Sequence, residues 1–277
     1  MGRVTGRRRV LRVDAERVVR HPDTLVVEEP LEIRIAGRPV TVTMRTPGDD
    51  FDLAHGFLVT EGIVRSPAEV DMIRYCAGAD EDGRNTYNVL DVALADGVAL
   101  PDLTLERNFY ATSSCGVCGK ASIDALEVTA AWPIASDDLS VDAAVLAALP
   151  DRLRAAQRVF DSTGGLHATG LFDAAGELLC AREDVGRHNA VDKLVGWALR
   201  ERGLPLAGCI LVVSGRASFE LTQKALVAGI PMLAAVSAPS TLAVDLAERV
   251  GMTLVGFLRG PSMNIYTGPQ RITTPAG

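Results

Sequence analysis

The pattern of apolar and polar positions in the first third of the chain predicts strands and hairpins with two helices. Residues 31–36 and 40–45 alternate apolar and polar side chains on either side of Gly37-Arg38-Pro39, which is typical of a β-hairpin. Apolar residues at helical spacing follow Asp49 and Asp50 and predict a helix there. The N-terminal part of the chain is therefore expected to mix strands and helices.

A capping box and a loop-like stretch complete the N-terminal half. Ser66 and Glu69 have the spacing of a capping box, and residues 86–94 predict a further strand. Residues 130–141 are loop-like, and we expect the domain boundary there. The two predicted domains are an N-terminal α+β domain ending in a CxxC segment (residues 1–130) and a C-terminal α/β domain (residues 131–277).

The C-terminal half alternates helical patterns with short apolar runs. A helix over 142–160, interrupted at Pro150, is followed by a hairpin around 173–176 and a long helix over 189–202. Apolar runs then come at 209–213, 231–236 and 252–257, with helical patterns at 219–228 and 242–250 between them. This strand–helix alternation predicts a parallel sheet covered by helices.

The loops that follow these three strands share a chemistry that suits a phosphate. They supply hydroxyl groups, glycine backbone and two arginines, in the segments Ser214-Gly215-Arg216, residues 237–241 and residues 257–262. In such sheets, ligands bind outside the carboxyl ends of the strands, close to helix N-termini. Ser218 and Ser240 are also expected as N-caps, a role that needs no ligand. Both interpretations stay open on the pattern alone.

Composition narrows the class of protein. The chain has 277 residues, ordinary hydrophobic content (48%) and a net charge of -7, which argues against a general nucleic-acid-binding role. No apolar run approaches the length of a membrane span and no secretory signal is evident, so a cytoplasmic location is expected. The only lysines are Lys120, Lys193 and Lys224, which suggests positions where a compact ammonium is preferred to a guanidinium.

The segment from Glu183 to Lys193, EDVGRHNAVDK, is unusually polar for the start of a helix. In a structural interpretation, Asp184 or Asn189 caps the helix and Asp192 pairs with a nearby cation. In a functional interpretation, Arg187, His188 and Lys193 belong to a site. His167, at the start of the preceding hairpin, is interpreted as an ordinary strand histidine.

Cys115 and Cys118 form a CxxC pair flanked by glycines and followed by Lys120. A helix N-terminus and a nearby cation lower the pKa of a thiol, and the thiolate attacks persulfide or disulfide sulfur. A zinc site would need about two further ligands. Cys180, His167 and His188 could supply them, but at spacings that match no common zinc-site pattern. A thioredoxin-type centre would need the pair after the first strand of a βαβ unit. A buried structural pair is the remaining alternative.

Four motifs together resemble the formate dehydrogenase accessory sulfurtransferases, the FdhD family. They are FYATSSCGVCGK from Phe109, EDVGRHNAVDK from Glu183, SGRASFELTQK from Ser214 and FLRGPSMNIYT from Phe257, in order along nearly the whole chain. The resemblance implies a C-terminal three-layer α/β/α domain similar to cytidine deaminases. The deaminase zinc signature is missing, because His167-Ala168-Thr169 lacks the glutamate, so zinc-dependent deamination is not expected.

The resemblance also implies an activity, partners and site residues. Sulfur would pass from a cysteine desulfurase to Cys115 as a persulfide, with Cys118 assisting, and then to the bis(molybdopterin guanine dinucleotide) molybdenum cofactor before its insertion into formate dehydrogenase. A homodimer is expected, without a catalytic metal of its own, and without nucleic acid or membrane as a partner. The expected cofactor-binding residues are Phe257, Leu258, Arg259, Gly260, Pro261, Ser262, Ser214, Gly215 and Arg216. The alternative is a cofactor-binding chaperone without covalent sulfur transfer.

Overall fold

The computed structural model describes residues 3–76, 78, 86–99 and 131–274. The strands are β1 (Thr5–Val13), β2 (Val18–Val26), β3 (Glu29–Ile35), β4 (Arg38–Arg45), β5 (Val70–Tyr75), β6 (Val89–Leu94), β7 (Val141–Asp142), β8 (His167–Phe172), β9 (Leu178–Asp184), β10 (Ile210–Val213), β11 (Met232–Ala235), β12 (Thr253–Arg259), β13 (Ser262–Thr267) and β14 (Ile272–Thr273). The helices are α1 (Asp50–Thr60), α2 (Ala143–Ala156), α3 (Arg158–Thr163), α4 (Arg187–Glu201), α5 (Phe219–Val227) and α6 (Thr241–Arg249). Among the helices of the described ranges, none is long and apolar enough to cross a membrane.

The largest sheet has six strands in the order β13-β12-β11-β10-β8-β9. Within this sheet only β10, β11 and β12 pair in parallel, and the expectation of a parallel sheet for the C-terminal half is correct for these three strands alone. The hairpin β8–β9 and the strand β13 add antiparallel strands at the two edges. The connections β8–β9 and β12–β13 are short, and a short connection can only join antiparallel neighbours. Strand β8 also pairs antiparallel with β10, across the longer connection through α4.

Helices cover both faces of this sheet. Leu211 and Val213 of β10 face a core that includes α1, α4, α5 and α6. Ile210 and Val212, which alternate with them, face a second core that includes α2. Alternate residues of a strand point to opposite faces, so a strand buried on both sides is apolar throughout. Burial on both faces explains the uninterrupted apolar runs in the sequence. The similarity of the C-terminal domain to cytidine deaminases stays a prediction.

The N-terminal part adds a four-stranded sheet and a separate ribbon. The sheet has the order β4-β3-β6-β5, and the predicted hairpin forms its β3–β4 pair. The predicted capping box of Ser66 and Glu69 is present, but the second predicted helix is wrong, because the box starts a three-residue 3-10 turn that leads directly into β5. Strands β1 and β2 form an antiparallel ribbon that the sequence analysis did not predict. The predicted domain boundary falls next to residues that the structure does not describe, and one core includes residues from both sides of it.

The predicted break of the helix at Pro150 is wrong. Pro150 lies inside α2, and the chain instead leaves the helix at Gln157, from which α3 starts again. A proline removes one hydrogen bond, and here the flanking leucines Leu146, Leu149 and Leu153 are all buried in the core. Tertiary packing of this apolar face therefore outweighs the local cost of the proline.

Helices α1 and α4 cross at two glycines. A Cβ atom at Gly56 would overlap the backbone of Asp192, and a Cβ atom at Gly196 would overlap the backbone of Asp52. The backbones of the two helices therefore touch, and no side chain larger than a hydrogen atom fits at either position. This contact joins the N-terminal part of the chain to the layer of helices on the main sheet.

We predict that Gly196→Ala destabilises the protein by about 2–3 kcal/mol, because the added methyl group forces α1 and α4 apart in a close-packed region. Chemical denaturation followed by circular dichroism measures the loss. Gly6→Ala is the matched control, since the methyl group there would meet nothing nearer than 3.7 Å. Equal stability of the two variants would show that the helices do not touch at this crossing.

Candidate functional site

The loops predicted to bind a cofactor lie side by side at the carboxyl ends of the parallel strands. The amide of Ser237 donates to the carbonyl of Gly215 at 3.3 Å, and the amide of Phe257 donates to the carbonyl of Ser237 at 3.1 Å. Ala217 and Pro239 form a further parallel bridge. The ladder of the sheet thus continues past the strand ends, so the three loops form one edge, which we call the strand-end edge.

The predicted segment from Phe257 to Ser262 is a hairpin turn. Strand β12 continues to Arg259, which pairs with Ser262 at the start of β13, so no helix follows this strand end as it follows the other two. Phe257 has a positive φ of 52° and is 39% exposed, and Leu258 is buried in the core on the α2 side. The guanidinium of Arg259 donates through Nε to the carbonyl of Val236 at 3.1 Å and is thereby held along the strand-end edge.

The segment Ser214-Gly215-Arg216 joins β10 to α5. The hydroxyl of Ser214 accepts a hydrogen bond from the amide of Ala168 at 2.9 Å, which ties the loop to β8. The side chain of Arg216 is exposed. Ser218 caps α5 and Ser240 caps α6, as the sequence predicted. The described part of the predicted site therefore offers an exposed aromatic ring, two arginines and glycine backbone on one edge.

His167 and the start of α4 lie at the same edge, beyond β10. The ring nitrogen Nδ1 of His167 is 3.5 Å from the position that a Cβ atom of Gly215 would occupy. Burial lowers the pKa of His167 below its ordinary value, and coulombic interactions with Arg187 and His188 lower it further. His188 Nε2 lies 2.6 Å from Glu220 Oε2, and this contact lowers the pKa of Glu220. His167 lies at the start of β8, as expected for a strand histidine, and the antiparallel pairing of β8 with β10 places it beside Gly215.

Much of the polar motif at residues 183–193 is structural. Asp184 is fully buried, and its Oδ2 atom lies 2.8 Å from the Nζ atom of Lys193. The same ammonium donates to the carbonyl of Thr46 at 2.9 Å, and Asp184 accepts from the amide of Thr46 at 3.1 Å. Asn189 bonds to the carbonyl of Met44 at 2.7 Å. This part of the motif therefore binds the N-terminal hairpin to α4. The expected capping of the helix by Asp184 or Asn189 is wrong, because the N-cap is Gly186 and no side chain caps the helix. The expected pairing of Asp192 with a cation is confirmed, since Lys224 lies 2.8 Å from it.

A second buried lysine connects three helices. Lys224 Nζ of α5 lies 2.8 and 3.0 Å from the carboxylate oxygens of Asp192 in α4, and 2.8 Å from the hydroxyl of Thr60 in α1. The coulombic attraction of Asp192 and Glu61 outweighs burial and raises the pKa of Lys224 above its ordinary value. Lys193 and Lys224 are thus compact ammonium groups in buried networks, where the sequence analysis expected such groups.

The CxxC cysteines, Cys115 and Cys118, lie outside the described residues. Of the described cysteines, Cys180 and Cys209 are buried and Cys76 is half-buried. Burial raises the pKa of Cys180 to about 11 and also raises the pKa of Cys209. These two thiols are therefore protonated at neutral pH and are poor nucleophiles. Within the described ranges, no three His, Cys, Asp or Glu side chains are grouped for a metal ion.

This chain shares its fold with a solved structure and its sequence profile with a known family. A crystal structure of a proposed formate dehydrogenase accessory protein from Desulfotalea psychrophila superposes with a TM-score of 0.73 at 23% identity, over 98% of this chain and 100% of that one. The two chains therefore share a fold. The profile of the FdhD/NarQ family matches residues 26–273, and the chain belongs to this family. The resemblance inferred from the four motifs is confirmed.

Curated relatives match the chain over its whole length. The sulfur carrier protein FdhD of Streptomyces coelicolor is 64% identical over 277 residues, which are 100% of this chain and 98% of that protein. The sulfur carrier protein FdhD of Mycobacterium tuberculosis is 58% identical over 276 residues, which are 99% of this chain and 100% of that protein.

We predict that Lys224→Met lowers the free energy of unfolding by about 3–5 kcal/mol, because it leaves Asp192 as an unpaired buried charge. The exposed pair of Arg154 and Asp161, 2.6 Å apart, provides the control. Arg154→Met is expected to cost less than about 1 kcal/mol, since water already solvates both ions. Urea denaturation measures both variants.

A double variant separates lost charge pairing from lost packing. Adding Asp192→Asn to Lys224→Met removes the unpaired charge and is expected to recover part of the stability. If the double variant is less stable than Lys224→Met alone, the loss does not come from the unpaired carboxylate.

We predict that Arg187→Gln raises the pKa of His167, because the substitution removes a nearby positive charge that disfavours the protonated ring. Histidine ring resonances followed by NMR across a pH titration measure the shift. Arg202→Gln, at the C-terminal end of α4, removes the same charge far from His167 and is expected to leave its pKa unchanged. An unchanged or lower pKa in Arg187→Gln would show that Arg187 does not act on this ring.

Proposed function

We propose that this chain is a sulfurtransferase that accepts persulfide sulfur from a cysteine desulfurase on Cys115. The sulfur then passes to the bis(molybdopterin guanine dinucleotide) molybdenum cofactor before its insertion into formate dehydrogenase. The observation that carries the proposal is the full-length match, at 64% identity, to a protein named as a sulfur carrier. The solved structure that shares the fold is of a proposed formate dehydrogenase accessory protein.

The chemistry of the first step follows from thiol–persulfide exchange. The Cys115 thiolate attacks the terminal sulfur of the persulfide on the desulfurase, a new S–S bond forms on Cys115, and the desulfurase cysteine leaves as a thiolate. In the second step, Cys118 attacks the Cys115 sulfur and releases the terminal sulfur at the oxidation level of sulfide. The two electrons come from the pair, which becomes a disulfide and is later reduced by an external thiol.

The described cysteines support the choice of the CxxC pair. Cys180 and Cys209 are buried, and their raised pKa values keep them protonated. Cys76, which is half-buried, is the one thiol of the described ranges with access to a partner protein. The choice of carrier therefore lies between Cys76 and the CxxC pair, and the CxxC motif favours Cys115.

The strand-end edge supports a nucleotide as the part of the cofactor that binds there. Phe257 exposes an aromatic ring on which a base can stack, and Arg216 and Arg259 supply cations for phosphates. The backbone of Gly215 allows a ligand to approach closely. When bound, the cofactor supplies the molybdenum chemistry of formate dehydrogenase, and in this chain these residues only hold and orient it.

The proposal extends to the setting in which the protein works. It includes a homodimer, a cytoplasmic location and a C-terminal domain similar to cytidine deaminases. Nucleic acid and membrane are not among the proposed partners. All of these points rest on the resemblance and the composition given above.

We predict that Cys115 gains one sulfur atom when the protein is incubated with a cysteine desulfurase and cysteine. Intact-protein mass spectrometry detects the added mass, and peptide mapping assigns the residue. Cys115→Ala is expected to abolish the gain, and treatment with a reductant is expected to reverse it in the wild-type protein. Cys76→Ala is the matched control and is expected to take up sulfur normally.

Other outcomes would identify a different function. If Cys115→Ala supports full formate dehydrogenase activity, sulfur transfer through Cys115 is wrong and the cofactor-binding chaperone becomes the better hypothesis. If Cys76→Ala loses the added sulfur, the carrier is Cys76. If the purified protein contains stoichiometric zinc that both Cys115→Ala and Cys118→Ala remove, the pair is a structural metal site.

A further inference from the structure

The ribbon of β1 and β2 stands apart from both apolar cores. Its two strands have nine residues each and pair only with each other among the described strands. As far as the chain is described, neither core includes a residue of the ribbon. Only its root is attached, where the amide of Val27 donates to the carbonyl of Val4 at 2.9 Å. A two-stranded ribbon without a core is marginally stable in water, so this one needs a surface to pack against.

The free end of the ribbon carries an apolar face. Val13 and Val18 lie directly opposite each other beside the turn, and Leu11 lies two residues before Val13, so the three side chains point to the same face. They are 69%, 64% and 61% exposed, more than any other large apolar side chain of the described ranges. Asp14 closes the turn by accepting two backbone amides, at 3.0 and 3.1 Å. An ordered turn thus presents an apolar patch, which is typical of an interaction site.

The ribbon is basic, whereas the rest of the chain, which we call the body, is acidic. Residues 5–26 contain six arginines and three acidic residues, and the body contains 22 basic and 32 acidic residues. Arg17 is the one ribbon arginine that forms an ion pair with a described residue, and its partner Asp14 belongs to the same turn, 3.4 Å away. The other five arginines therefore suit the carboxylates of another surface. A second copy of this chain supplies such a surface, because its body has the opposite net charge.

The dimensions of the ribbon fit a contact between a ribbon and a body. Two ribbons carry the same net positive charge, so pairing between their strand edges is unfavourable. A nine-residue strand is about 30 Å long and a two-stranded ribbon is about 10 Å wide, so one face covers about 300 Å². The reciprocal exchange of two ribbons would bury about 1,200 Å² in total, which reaches the lower limit of a stable interface. A twofold exchange also closes on itself and gives a dimer.

We propose that the ribbon of each protomer lies across the acidic body of a second copy of this chain, and that the exchange of two ribbons holds a homodimer together. Leu11, Val13 and Val18 form the apolar centre of the contact, and the arginines around them pair with carboxylates of the partner. The proposal rests on the homodimer of the proposed function and names its interface. Residues 5–25 precede the part of the chain that the family profile matches, so the shared motifs do not predict this contact.

The test changes the apolar face and measures self-association. Analytical ultracentrifugation gives the dissociation constant of the dimer for the full-length protein and its variants. The double variant Val13→Thr/Val18→Thr is expected to raise this constant about tenfold or more, because two buried methyl groups are replaced by hydroxyl groups. Threonine keeps the branched Cβ atom that strands prefer, so the ribbon itself still forms.

The other face of the same ribbon provides the matched control. Val10 and Val19 pair with His21 and Arg12, and the alternation of the strands turns both valines away from the apolar face. Val10→Thr/Val19→Thr is therefore expected to leave the dissociation constant unchanged. Equal weakening by the two double variants would contradict the proposal, because the loss would then come from the stability of the ribbon and not from its apolar face.

Salt tests the charge pairing on which the choice of partner rests. Raising the ionic strength from about 0.05 M to about 0.5 M is expected to raise the dissociation constant several-fold, because salt screens the attraction between arginines and carboxylates. A constant that stays the same or falls at high salt would mean that the ribbon does not bind through its charge.

Cross-linking tests where the ribbon lies. A photoreactive benzoylphenylalanine in place of Leu11 is introduced into the full-length protein, which is mixed with a copy labelled with heavy isotopes. Cross-links between a light ribbon peptide and a heavy body peptide are expected. Cross-links confined to one copy, or found only between two ribbons, would refute the exchange.

The outcomes distinguish the interface from the proposed function. If Val13→Thr/Val18→Thr dimerises as tightly as the wild-type protein, the ribbon is not the interface, and the homodimer itself still stands. If the wild-type protein is monomeric at every concentration, both the interface and the proposed homodimer are wrong. Sulfur transfer is judged separately, by the mass gain at Cys115.

Discussion

The crossing of α1 and α4 is the contact on which the rest of the structure depends. Gly56 and Gly196 remove the side chains at the crossing, so the two backbones touch there. The N-terminal sheet is thereby fixed against the helices that cover the main sheet, and one apolar core includes both parts. The same contact positions the start of α4 at the strand-end edge. The candidate site is therefore a consequence of helix packing as much as of the loops that line it.

Two buried lysines give this packing its register. Taking a charge out of water is expensive, and an apolar side chain of similar volume would often be as stabilising. An apolar contact between helices tolerates small shifts, however, whereas Lys224 requires Asp192 and Thr60 at hydrogen-bond distance at the same time. Lys193 likewise requires Asp184 and the carbonyl of Thr46. The pairs therefore fix α4 along its axis relative to α1, α5 and the N-terminal hairpin.

Local patterns predicted the elements of this fold well, and long-range pairing is what they could not predict. The apolar runs of β10, β11 and β12 were recognisable because each is buried on both faces. The antiparallel edge strand β13 was missed, since its exposed residues give it no apolar run. The predicted helix break at Pro150 was wrong, because the local sequence carries no information about the leucine face that α2 packs on the sheet. The position of His167 beside Gly215 depends on strand pairing, which the residues near it in sequence do not encode.

The motif at residues 183–193 shows why a polar run in a sequence is hard to interpret. A helix turns by 100° per residue, so neighbours in the motif serve different surroundings. Asn189, Asp192 and Lys193 are buried and bind the N-terminal part of the chain, whereas Arg187 and His188 lie at the helix start and reach the strand-end edge. The structural interpretation is therefore correct for Asp192, which pairs with Lys224, whereas a site role for Arg187 and His188 stays a prediction. The buried residues hold the half-buried Arg187 and His188 in place, because the paired charges of Lys193 and Asp192 anchor this end of α4 to its neighbours.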